Sequence, residues 1–157
     1  MQQTLKISRK IDYALRAMIF LASTPESRVV PFREIAKQMT MPEEFLAKIL
    51  KTLVNKGLLR SARGARGGYS LAKPRTSIAV LDVIEAVEGP VVVNLCLSDS
   101  DSCSLTPSCT MHEIWKLGQE RMLEVYRAAT LDTLVMQSLP ERLRTRAAKL
   151  DPAGAGP

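Results

Sequence analysis

The chain has 157 residues but only one histidine and three cysteines, and these scarcities exclude a good deal. The sequence has no P-loop, no G-x-S-x-G nucleophile elbow and no dinucleotide-binding fingerprint, so the common enzyme classes lack their machinery. A Cys109–His112 pair, three residues apart on an opening helix, is poor geometry for a nucleophile and its base. The reading is therefore not an enzyme. An odd number of cysteines argues against a paired disulfide framework and fits a reducing compartment. Apolar runs such as "AMIFLA" fall far short of the roughly 20 residues that span a bilayer. The opening "MQQTLKISRK" has no apolar signal core before a small-residue cleavage site. The expectation is a cytoplasmic protein with no membrane partner.

What is present is ordinary globular composition with an uneven charge. At 46% hydrophobic and 24% charged residues, the chain can bury one core, with room for an appendage. Residues 1–75 carry 15 Lys/Arg against 5 Asp/Glu, a net +10, whereas residues 76–157 carry 7 against 11, a net −4. A basic N-terminal half points to a polyanion, and double-stranded DNA is the commonest such partner.

Apolar residues at Ile7, Ile11, Ala14, Leu15, Met18 and Ala22 recur at helical spacing and predict a first helix over about Ser8 to Ser23. "PFREIAKQMT" predicts a short helix opened by Pro31, with Phe32, Ile35, Ala36 and Met39 inward. "TMPEEFLAKILKTLVNKG" predicts another, with Thr40 and Glu43 at capping-box spacing and Gly57 as its stop. Its apolar face is Phe45, Leu46, Ile49, Leu50, Leu53 and Val54, and Lys48, Lys51, Thr52 and Asn55 lie opposite. "LLRSARGARGGYSLA" then changes character. Two short strand-like arms, Leu58–Ser61 and Gly68–Leu71, flank a turn rich in glycine and arginine.

Two short helices followed by a basic hairpin make a winged helix-turn-helix. "TSIAVLDVIEAVEG" predicts a further helix capped by Thr76 or Ser77. From His112, "HEIWKLGQERMLEVYRAAT" places Ile114, Leu117, Gly118, Met122, Val125 and Ala129 along one stripe. That helix projects beyond the winged domain, and its stripe is expected to pack against its own copy in a dimer, although periodicity alone fits packing on the first helix of the same chain equally well. The fold class is thus mainly α with a small β-hairpin wing, a winged helix-turn-helix plus a long dimerisation helix. Residues 1–90 form the DNA-binding domain, 91–111 a loop, 112–138 the dimerisation region and 139–157 a tail.

All three cysteines and the one histidine fall in "CLSDSDSCSLTPSCTMH", spaced C-x6-C-x5-C-x2-H. A loop this rich in serine and aspartate cannot be core, so burial does not explain the thiols. Thiolates and imidazole bind iron–sulfur clusters, zinc or cuprous copper. Structural zinc usually takes two short knuckles, and this loop has wide gaps and one short pair, Cys109 with His112.

Here the chain resembles the IscR/NsrR family of winged-helix iron–sulfur transcription regulators. The resemblance rests on "DYALRAMIFLA", "EIAKQMTMPEEFLAKILKTLVNKGLL", "RGARGGYSLAKP", "IAVLDVIEAVEGP", the three cysteines, "HEIW" and "TLDTLV". It implies a homodimer that binds a DNA operator and carries an iron–sulfur cluster on Cys96, Cys103 and Cys109. The resemblance implies two candidates for the fourth ligand. His112 occupies the place of the histidine that ligates a two-iron cluster in IscR-like members. Asp12 occupies the place of the aspartate that reaches a four-iron cluster across the dimer in NsrR-like members. Local loop closure favours His112 and a two-iron cluster. The first gap is one residue longer than in those two branches.

For DNA, phosphate contacts are expected from Lys48, Lys51, Lys56 and Arg60. Arg63 and Arg66 on the wing tip suit a narrow minor groove, and Gly64, Gly67 and Gly68 would let the turn approach the backbone. Glu43 and Glu44 would repel phosphate but can accept a hydrogen bond from cytosine. Two alternatives to cluster-controlled binding stay open: a structural zinc site, and direct thiol-redox sensing by the cysteines.

Overall fold

The computed structural model describes residues 7–99 and 103–137. Helix α1 (Arg9–Ala22) starts where Ser8, in extended backbone, accepts a hydrogen bond from the Ile11 amide at 3.2 Å. It buries Ile11, Ala14, Ala17, Met18, Leu21 and Ala22, a helical-period stripe whose alanines let neighbouring helices approach closely. Ile7, expected inward, is 55% exposed, because it precedes the helix and borders an open apolar cleft described below.

Helices α2 (Phe32–Gln38) and α3 (Glu43–Asn55) form the helix-turn-helix pair. Only Ile35 of α2 is buried, while α3 buries Leu46, Ile49, Leu50 and Leu53. The expected Thr40–Glu43 capping box does not form. Pro42 stands extended as the cap, which leaves the Thr40 side chain outside the first turn. The other end follows the sequence. Gly57 takes φ +71°, its amide donates to Val54 and the Leu58 amide donates to Leu53, both at 3.0 Å. That is a Schellman stop, completed by the buried Leu53 and Leu58 side chains.

Strands β1 (Leu59–Ala62) and β2 (Gly68–Leu71) pair antiparallel, with Leu59 opposite Leu71 and Ala62 opposite Gly68. The first strand begins one residue later than expected, since Leu58 is used by the helix stop. The outer edge of β2 is also covered. Val30 and Tyr69 exchange two backbone hydrogen bonds of 2.8 and 2.9 Å, so the α1–α2 connection is stitched to the wing.

Helix α4 (Val80–Glu88) buries Leu81, Val83, Ile84, Ala86 and Val87. Neither Thr76 nor Ser77 caps it. Those residues lie in a 3-10 turn (Arg75–Ser77), where the Ser77 hydroxyl donates to the Pro74 carbonyl, and Asp82 accepts from the Ala79 amide at the helix start.

Helix α5 (Thr110–Ala128) begins two residues before the expected His112, directly after Cys109. The chain then returns. The Val80 amide donates to Ala129 at 2.8 Å and the Leu131 amide to Ile78 at 2.9 Å. Helix α6 (Leu131–Val135) packs on α1 with Leu131 fully buried, and Asp132 pairs with Arg75 at 2.8 Å. The core is one cluster centred on Met18, Ile35, Leu46, Leu50, Leu53, Ile78, Val83 and Leu131. The expected tail, 139–157, lies outside the described residues.

Candidate nucleic-acid interface and cysteine loop

The expected DNA contacts fall on two connected surfaces. On α3, Lys48, Lys51 and Asn55 are exposed, opposite the buried leucines, while the Thr52 hydroxyl turns back to the Lys48 carbonyl at 2.9 Å. Lys56 is exposed at the helix end, and Glu43 and Glu44 are exposed at its start. On the wing, Arg63 and Arg66 stand exposed at the tip. Arg60 sits lower, at the base of the hairpin, where its guanidinium donates to the Ala72 carbonyl at 3.1 Å.

Backbone crowding explains the glycines of the turn. A Cβ on Gly67 would lie 2.5 Å from the Ala62 carbonyl oxygen, and one on Gly68 would lie 2.2 Å from that of Val30. Gly64 takes φ +103° in open space, a conformation that side chains oppose. The turn therefore presents two arginines on a short, tightly folded tip. A cation on such a tip can follow a phosphate backbone or enter a groove that is rich in negative potential.

The cysteine loop leads from α4 to α5. Cys96 is half-buried in a 3-10 turn (Leu95–Leu97) that packs on α5. The Val93 amide donates to the Gln119 side chain at 2.9 Å and pins the loop entry to the same helix. Cys103 is exposed, Cys109 is half-buried as the residue before α5, and the His112 amide donates to the Cys109 carbonyl at 3.1 Å. All three cysteines are free thiols. Among the described residues, no three His, Cys, Asp or Glu side chains converge closely enough to hold a metal ion.

Two buried side-chain atoms in this region nevertheless have no hydrogen-bond partner among the described residues, Thr106 Oγ1 and His112 Nδ1. Buried polar atoms are seldom left unpaired, so both atoms stand out in this loop. Asp12 lies elsewhere, on α1, where Arg16 one turn along holds its carboxylate at 2.9 Å.

Helix α5 buries none of its residues. Met111, Ile114, Leu117 and Val125 are 42–62% exposed and Trp115 is 38% exposed. The helix meets α4 across an apolar cleft of about 370 Å³ bordered by Ile7, Ile84, Val93, Met122 and Tyr126. Among the described residues, no helix is long and apolar enough to cross a membrane.

Sequence reading missed Arg28, Lys73 and Arg75, which gather beside the wing base. For Lys73 and Arg75 the only signal was "LAKPR" after the hairpin, too short to read, and Arg28 stands outside it, before α2. It also missed Gln119, whose role depends on a contact 26 residues away.

A helix-turn-helix whose basic hairpin is held in place by the preceding loop, with a lateral helix beyond it, defines the winged-helix class of transcription regulators. The family model described as "Rrf2: Iron-dependent Transcriptional regulator" matches residues 7–137. The chain belongs to the Rrf2 family, in agreement with the resemblance drawn from its motifs. Two Mycobacterium tuberculosis proteins, from strains CDC 1551 and H37Rv, are named as candidate HTH-type transcriptional regulators. Each is 32% identical over 139 residues, covering 88% of this chain and 86% of its own length. Among solved structures, CymR, the global cysteine regulator of B. subtilis, superposes with a TM-score of 0.69 at 30% identity, covering 86% of this chain and 99% of its own. T. potens IscR superposes with a TM-score of 0.63 at 27% identity, covering 97% and 94%.

Proposed function

We propose that this transcription regulator acts as a homodimer whose hold on operator DNA is set by an iron–sulfur cluster in the cysteine loop. The observation that carries the reading is the placement of the thiols. Every cysteine lies between α4 and α5, on the segment that joins the winged head to that helix, and the one histidine lies in the first turn of α5. Thiolate and imidazole donors suit such a cluster, and His112 Nδ1 is a buried nitrogen with no hydrogen-bond partner among the described residues. Cys96, Cys103 and Cys109 would hold the group with His112 as the fourth donor. A two-iron cluster is the favoured form, with a four-iron cluster and Asp12 of the partner subunit as the alternative.

When bound, the cluster would supply an oxidation state and a lability that the thiols alone lack. The rest falls to this chain's residues. Cys96 sits against α5 and Cys109 opens it, so restraining both sets the angle between head and helix. The exposed apolar face of α5 supports dimerisation, because apolar area on this scale is rarely left to water. Lys48, Lys51, Arg60, Arg63, Arg66 and the Gly67 turn supply the DNA-binding surface in this reading.

Direct thiol sensing is the second reading. It is favoured by the free thiols and by the lack of three converging donors among the described residues. One experiment separates them: anaerobic purification, an absorption spectrum, and iron and acid-labile sulfide analysis of wild type, His112→Ala and Asp12→Ala. Visible absorption with iron and sulfide, changed by His112→Ala alone, supports the two-iron reading. Change with Asp12→Ala supports the four-iron one. Colourless protein with zinc sinks the cluster, and colourless metal-free protein whose DNA binding follows thiol oxidation establishes the second reading. Cys103→Ala should fold, dimerise and lose cluster-dependent DNA binding.

A further inference from the structure

A second site stands apart from the cysteine loop. A cavity of about 210 Å³ opens at the base of the wing, between the end of α1, the α1–α2 connection and the residues that leave β2. Arg28, Arg60, Lys73 and Arg75 all line it, and Glu26 is the one acidic residue of the lining. The cleft beside α5 has an apolar wall instead. Cations crowded around a concave space repel one another, so their gathering favours nearby negative charge.

The guanidinium groups are already oriented. Arg60 donates to the Ala72 carbonyl at 3.1 Å, and Arg75 donates to the Ala22 carbonyl at 3.2 Å while its Nε pairs with Asp132. Arg28 pairs with Glu34 at 2.7 Å. Each guanidinium carries five N–H donors in a fixed fork, so these bonds leave donors over. Glu34 and Asp132 each match one arginine, and Arg60 and Lys73 then face Glu26 with one net positive charge remaining. Fixed forks with spare donors and an unspent charge suit a tetrahedral oxyanion, which takes several short charge-assisted hydrogen bonds at once.

We propose that this cavity binds a phosphate group, and that doing so adds a second tie between the α1–α2 connection and the base of the wing. Phosphate chemistry has two sources for a DNA-binding protein: the DNA backbone itself, and a free phosphorylated solute. The proposal does not depend on the cysteine loop, and its test uses neither the cluster nor the thiols.

The test is a titration of the full-length protein with inorganic phosphate, followed by amide NMR at ionic strength held constant with chloride. Saturable shifts confined to residues 22–28 and 70–75 are expected. Lys73→Gln should weaken the binding several-fold, and Lys73→Glu should abolish it. Lys73 carries no structural bond among the described residues, so both variants should fold like wild type. Shifts that are absent, spread over the surface, or unchanged by Lys73→Glu would overturn the proposal. The source follows from fluorescence anisotropy with a labelled duplex. If Lys73→Gln weakens DNA binding, with phosphate competing against the duplex, the site takes the DNA backbone. If Lys73→Gln leaves the duplex affinity unchanged and phosphate also binds the DNA complex, the site takes a free solute.

Discussion

Gly68→Ala tests whether the wing is held by the loop before α2. The added Cβ would lie 2.2 Å from the Val30 carbonyl oxygen, 2.6 Å from its carbon and 2.9 Å from the Pro31 nitrogen. All three are backbone atoms, so no side chain can rotate away. Reaching the 3.4 Å of ordinary contact requires β2 and the 29–31 segment to part by about 1.2 Å. The two Val30–Tyr69 hydrogen bonds, now 2.8 and 2.9 Å, would then stretch to about 4 Å, beyond bonding range. At about 1 kcal/mol each they account for about 2 kcal/mol. Partial exposure of Val30, now fully buried, adds about 1 kcal/mol. The lower chain entropy of alanine in the unfolded state returns about 0.5–1 kcal/mol.

The net expectation is a loss of about 2 kcal/mol. With a urea slope of about 1–3 kcal/mol per molar, the midpoint should fall by about 1 M. The assay is urea denaturation at one fixed protein concentration, with hydrogen exchange at the Val30 and Tyr69 amides as a local readout. A loss under about 0.5 kcal/mol with both amides still protected would refute the reasoning. Gly64→Ala is the comparison. Its φ of +103° in open space predicts about 1–3 kcal/mol of backbone strain with the Val30 amide still protected.

Three further outcomes follow from the same structure. Leu50→Ala removes a fully buried side chain of α3 and should cost about 2–5 kcal/mol, read as a lower thermal or urea midpoint; a change within 0.5 kcal/mol (about the spread of neutral surface changes) would show the core is misplaced. Ile114→Glu places a charge on the exposed face of α5 and should convert the proposed dimer to a folded monomer by sedimentation; an unaltered dimer would move the interface elsewhere. Arg63→Gln and Arg66→Gln should each flatten the salt dependence of DNA binding by about one unit of slope, with unchanged stability because both residues are exposed; an unaltered slope would remove the wing tip from the interface.

The sequence by itself determined the elements and their order. Ser8, Gly57 and Gly89 mark helix ends by local chemistry, and helical spacing of Met18, Leu46, Leu50 and Leu53 marks the faces that became core. Local readings failed where two signals competed within a few residues. Thr40 lost the cap of α3 to an extended Pro42, and Ser77 spent its hydroxyl on Pro74 rather than on α4. The wing arginines were legible because the turn that bears them is local, as were the thiols because they share one loop.

Only the tertiary structure decided what long-range contacts make. It joined Val30 to Tyr69, Val93 to Gln119 and Arg75 to both Ala22 and Asp132. It put Arg28, Arg60, Lys73 and Arg75 around one cavity although 47 positions separate the first from the last. It also left Ile114, Leu117 and Val125 of the α5 stripe in solvent, where periodicity alone could not choose between an internal neighbour and a second chain. Periodicity reports which side of an element is apolar; which surface meets it depends on how the whole chain closes on itself.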